Sequence, residues 1–122
     1  MITWQKKLIK LVSPHLEKIG PEHEIDHSER VFKYCLIFSR GYRKVDLESL
    51  FAASYLHDFG YLKNKKDDVN HSQLALDDII SILKRAEAPE EKLALIRQII
   101  ELHSATKDLS KMKLPIEISI FH

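Results

Sequence analysis

The segment SYLHDFGYLKNKKDDVNHS, residues 54–72, sets a histidine directly beside an aspartate at the end of an apolar run. How that pair is read decides the fold and its purpose. Adjacent residues on a regular helix point about 100° apart, so neither core packing nor an amphipathic stripe asks for two polar neighbours there. Two ligands for one metal ion would. Working back from the pair, Asp46 reads as an N-cap, and Leu47, Leu50, Phe51, Ser54 and Tyr55 continue a helix that runs out at Phe59-Gly60. His57 and Asp58 therefore fall in its last turn. Working forward, 61–69 reads as a charged loop, and Asn70 caps a helix carrying Leu74, Leu76, Ile79, Ile80 and Leu83.

The rest of the chain repeats this helical period. Trp4, Leu8, Leu11, Val12, Leu16 and Ile19 recur at helical steps over 3–19, with Pro14 a site for a bend and Gly20-Pro21 a stop. A second helix spans about 25–39, with Val31, Cys35 and Phe38 on one face and Gly41 ending it. Pro89 fits the first turn of a fifth helix with Leu93, Ile96, Ile99, Ile100 and His103. Residues 107–113 are polar, and Pro115 opens a last helix just before His122. No repeat, low-complexity tract or convincing strand interrupts the pattern. The expected fold is all-α, a bundle of about five to six helices.

With 122 residues and a net charge of +1, the chain has the size of one domain with a modest core. Charges of both signs are mixed, which gives no reason to expect a nucleic-acid partner. Cys35 is alone, so no internal disulfide forms and a reducing compartment suits the chain. The N-terminus MITWQKKLIKLV lacks a signal-peptide core, and no stretch approaches the ~20 apolar residues of a membrane span. The expectation is a cytoplasmic protein with no membrane partner.

Five of the seven histidines lie at helix ends: His23 and His27 begin the second helix, His57 ends the third, His71 begins the fourth and His103 ends the fifth. In an up-and-down bundle such starts and ends gather at one pole. Imidazole and carboxylate together suit Mn, Fe, Co, Ni or Zn. A divalent ion acidifies bound water and polarises a phosphoryl oxygen, as phosphate ester hydrolysis requires. The bland alternative is a buried polar network in which Asp58 fixes a histidine tautomer.

These residues resemble the HD-domain metal-dependent phosphohydrolases, whose pattern is a histidine, a His-Asp pair and a distant aspartate. EHEIDHSERVFKYC, residues 22–35, is similar to the family's HDxxHxxRV segment. His27 matches the first ligand, Arg30 and Val31 are in register, and His23 matches the preceding histidine, with Glu24 in place of the usual aspartate. AASYLHDFGY, residues 52–61, resembles the apolar run into HD[IF]G, which puts His57 and Asp58 on the second and third ligands. NHSQLALDDIISIL (70–83) and IRQIIELHS (96–104) resemble the later histidine segments and carry His71 and His103. The likeness covers about 5–120.

The resemblance implies one HD-like domain over 1–122, a metal-dependent phosphohydrolase acting on a nucleotide or related small-molecule phosphate ester through a metal-activated water. Its metal ligands would be His27, His57 and Asp58, with Mn, Ni, Co, Fe, Zn or Mg as the ion. Asp58, His71 and His103 would be catalytic, the two histidines positioning phosphate, shuttling a proton or holding a second ion. Arg30, Lys63, Lys66 and His23 would contact the substrate; the other reading of Arg30 is an internal salt bridge. The family's last aspartate ligand is expected where the chain stops at His122, so the C-terminal helices are expected to be lacking. Asp108 and Glu101 are poor substitutes, and His103 or His122 could serve instead. The competing expectation is a non-catalytic HD-like regulatory or metal-binding domain. Oligomeric state stays open, with a homodimer one option if apolar surface at 116–121 is covered by a second chain.

Overall fold

The structure is a computed structural model and describes residues 2–19, 25–42, 44–57, 71–102 and 116–121. Among them lie six α-helices and no strand: α1 (Thr3–Ile19), α2 (Ile25–Phe38), α3 (Leu47–Leu56), α4 (His71–Arg85), α5 (Leu93–Leu102) and α6 (Ile116–Phe121). Short 3-10 turns at Ser39–Gly41 and Glu90–Lys92 follow α2 and precede α5. The fold is thus an all-α bundle. The stops expected at Gly20-Pro21 and Phe59-Gly60, the loop 61–69, the Asn70 cap, the polar segment 107–113 and Pro115 lie outside the described residues.

α3 is the axis of the bundle because its sequence, LESLFAASYL, is apolar on nearly every side. Each residue from Ser49 to Leu56 is buried, and α1, α2, α5 and α6 all pack against it. α1 turns the stripe Trp4, Leu8, Val12 and Leu16 inward and runs through Pro14 as one helix. Ile96, Ile99 and Ile100 of α5 and Leu76, Ile79, Ile82 and Leu83 of α4 close the core from the other side.

Asp46 caps α3 as its position predicts. Its carboxylate accepts from Ser49 N–H at 3.1 Å and from the Ser49 hydroxyl at 2.9 Å. α4 ends without a glycine. Ala88 N–H donates to Leu83 O at 3.0 Å and Glu87 N–H to Lys84 O at 3.1 Å, a Schellman closure that puts Glu87 at φ 65°. Pro89 leads into the 3-10 turn rather than into the first turn of α5 itself.

The inward face of α2 differs from the expected Val31, Cys35 and Phe38. α2 faces inward through Ser28, Phe32 and Cys35, with Phe32 edge-on to Phe51 at 5.2 Å, whereas Phe38 is exposed. The reason is length. α2 has 14 residues against 10 in α3, and its start lies beside the end of α3, so its last turn overhangs the partner. Ile118 is buried and Ile120 and Phe121 pack partly on the core, so these side chains find cover within the chain.

Candidate metal centre

The first turn of α2 and the last turn of α3 meet at one pole, which brings His27 to His57. Their ring centroids are 5.6 Å apart and the planes are inclined at 44°. Two imidazoles sharing one ion, with nitrogen-metal distances of about 2.1 Å, hold their ring centres roughly 4.5 to 5.5 Å apart. At 5.6 Å the pair lies just beyond that range, so a shared ion would draw the two rings slightly together.

His57 is the C-cap of α3, with φ −62° and ψ −26°, and its N–H donates to Ala53 O at 2.9 Å. Its Nδ1 lies 2.9 Å from Ser54 O and 3.3 Å from Ala53 O. Carbonyl oxygens only accept, so Nδ1 carries a proton and is the ring nitrogen turned to the backbone. This is the arrangement by which backbone carbonyls orient metal-ligating histidines. Ser54 is itself fixed, its hydroxyl donating to Leu50 O at 2.8 Å.

Phe121, at the end of α6, stands edge-on to the His57 ring at 5.5 Å and 75°. Sequence reading missed this neighbour. The only available signal was the apolar run after Pro115, which announces a helix but not its destination. Near the opposite end of α3, Lys92 Nζ is 3.0 Å from both Asp46 oxygens and 3.1 Å from Glu48, while Asp46 N–H donates to the buried Glu117 carboxylate at 2.8 Å. Burial alone would raise the Asp46 carboxyl, but the Lys92 ammonium and the Ser49 donors outweigh it and hold the group below its usual range. α6 is thereby tied to both ends of α3.

Of the other residues singled out, Arg30 is exposed, and no ion pair joins it to another described residue. His71 opens α4, its side chain not among those described. His23, Asp58, Lys63, Lys66 and His103 lie outside the described residues, as do Asp108 and His122, while Glu101 is exposed. Among the described residues no group of three or more His, Cys, Asp or Glu is placed to hold a metal, and no helix is long and apolar enough to cross a membrane.

An all-α bundle that pairs a histidine from the start of one helix with the histidine of an HD dipeptide defines a class, and comparison gives the same one. The family model for the HD domain matches residues 25–121. The chain belongs to the HD-domain family. No curated protein and no solved structure matches it significantly.

Proposed function

We propose that the chain is a divalent-metal-dependent phosphohydrolase acting on nucleotides or related small phosphate esters, its ion held by His27, His57 and Asp58. The observation that carries this reading is the His27–His57 pair at the meeting helix ends, with His57 Nδ1 bonded to the Ser54 carbonyl. Membership of the HD-domain family supports it.

When bound, the ion supplies a positive charge against the phosphoryl oxygens and acidifies water. Asp58, next to His57 in the chain, accepts a proton from the attacking water. His71 and His103 position the phosphate and return a proton to the leaving oxygen. Arg30, Lys63, Lys66 and His23 bind the remaining phosphate charge, Arg30 as a rigid fork and the lysines as mobile point charges.

Elemental analysis of the purified chain beside His57→Ala tests the reading, together with hydrolysis of an aryl phosphate and a nucleotide panel in added Mn, Co or Ni. The expected result is about one transition ion per chain, lost in the variant while helical content survives. Metal retained by His57→Ala, or none bound even after incubation, would overturn the ligand assignment. Metal without hydrolysis of any substrate would overturn the catalytic role and leave a metal-binding module.

A further inference from the structure

The near-neutral charge of the whole chain conceals a local imbalance. From Arg30 to Val45 the sequence holds Arg30, Lys33, Arg40, Arg43 and Lys44 and no acidic residue. Arg43 lies outside the described residues; the other four are exposed. The same stretch carries the largest exposed apolar side chains. Tyr34 and Phe38 are each 59 % exposed and stack on one another at 6.3 Å, Ile37 is 49 % exposed, and Leu36, Tyr42 and Leu47 are exposed beside them. The acids that follow, Asp46 and Glu48, are held by Lys92.

The shape of this patch distinguishes its occupants. Leu36, Ile37 and Phe38 are consecutive, so at about 100° per residue they project around more than half of the helix. They sit on the overhanging end of α2, where it turns through Ser39–Gly41 toward α3. A flat partner surface covers one face of a helix, whereas an apolar medium covers a protruding tip on all sides. A second copy of the chain is disfavoured because a two-fold contact would set these cations against themselves. Tyr34 and Phe38 are already stacked on one another, and the aliphatic Leu36 and Ile37 offer no stacking surface to bases.

We infer that the α2–α3 corner is a membrane-surface docking site, in which Tyr34, Leu36, Ile37, Phe38 and Tyr42 enter the interface of an anionic bilayer and Lys33, Arg40 and Lys44 engage its headgroups. The expectation of no membrane partner rested on the lack of a spanning segment, and binding at the surface needs none. The corner lies at the far end of α2 and α3 from His27 and His57, so docking leaves that pole facing solution. The inference stands independently of phosphohydrolase activity.

Co-sedimentation of the full chain with vesicles of phosphatidylcholine, with and without about one third phosphatidylglycerol, tests it. The chain is expected to bind the anionic vesicles and to be released by high salt. The triple variant Lys33→Gln, Arg40→Gln, Lys44→Gln should weaken binding about a hundredfold, roughly fivefold per charge. Ile37→Ser with Phe38→Ser should abolish it while circular dichroism stays unchanged, since both positions are exposed. No binding to anionic vesicles, or equal binding to both kinds, would overturn the inference. So would a concentration-dependent dimer in light scattering that the serine variant disperses, because a second copy would then own the patch.

Discussion

Replacing Asp46 by alanine removes three interactions from the start of the helix that carries His57. The cap bond to Ser49 N–H, 3.1 Å long, is worth about 1 kcal/mol. The Ser49 hydroxyl, 2.9 Å from Asp46 Oδ2 on a fully buried residue, loses its acceptor at a further cost of about 1 kcal/mol. The Lys92 contact adds no more than about 1 kcal/mol, because the pair is partly exposed and Lys92 keeps Glu48 at 3.1 Å. The sum is about 3 kcal/mol. With 122 residues, each kcal/mol moves Tm by about 4 °C, so Asp46→Ala should melt about 12 °C below the parent. Asp46→Asn keeps an acceptor for the cap and loses the charge, and should fall by about 4 °C. Because the folded-state carboxyl is depressed, its contribution is fully present above the ordinary value of 3.8 and is lost as pH falls through the folded value. The parent should therefore lose stability on acidification more steeply than the asparagine variant does. Thermal melts followed by circular dichroism, with urea titrations at falling pH, measure both effects. If the alanine variant is no less stable than the asparagine one, or both melt with the parent, the cap argument fails.

Burial, followed by the charge of Glu29, pushes the Tyr55 phenol up to about 12 from 10.0; stability is complete below pH 10 and falls as pH rises toward 12, by of order 2 kcal/mol. Urea titrations of Tyr55→Phe should show this alkaline loss reduced relative to the parent, and identical profiles would refute the assignment. Glu87→Gly relieves a side chain held at φ 65° and should raise Tm by about 2 to 3 °C, a lower Tm meaning that the exposed Lys7 pair outweighs the strain. Phe121→Ala removes the ring standing against His57 and should weaken transition-ion binding about tenfold by titration, while Phe121→Leu recovers part of it; equal affinities would show that Phe121 does not orient the histidine.

Helix positions were legible where periodicity and a capping residue agreed. The stripe Trp4, Leu8, Val12 and Leu16, the Asp46 cap and the inward isoleucines of α5 all follow from spacing alone. Phe38 was misread because periodicity says which side of a helix is apolar but not how far the partner helix extends beneath it. The end of α4 gave no warning, since Glu87 occupies the left-handed position where glycine is the usual signal. Contacts distant in sequence were illegible for a related reason. Nothing near Glu117 says that its carboxylate accepts from Asp46 N–H, because a short helix docks wherever the core leaves a groove.

The pairing of His27 with His57 was legible, and the physics of a helix end shows why that place suits it. The last carbonyls of an α-helix lack intrahelical partners, so a histidine at the C-cap finds an acceptor for Nδ1–H within its own turn, as His57 finds Ser54 O at 2.9 Å. The same carbonyls make the helix C-terminus the negative end of its dipole, which favours a cation there. α3 is buried along almost its whole length and cannot shift to relax the site. An apolar run closed by His57 therefore sets an imidazole, the Ser54 carbonyl that orients it and a field favourable to a cation within one helical turn.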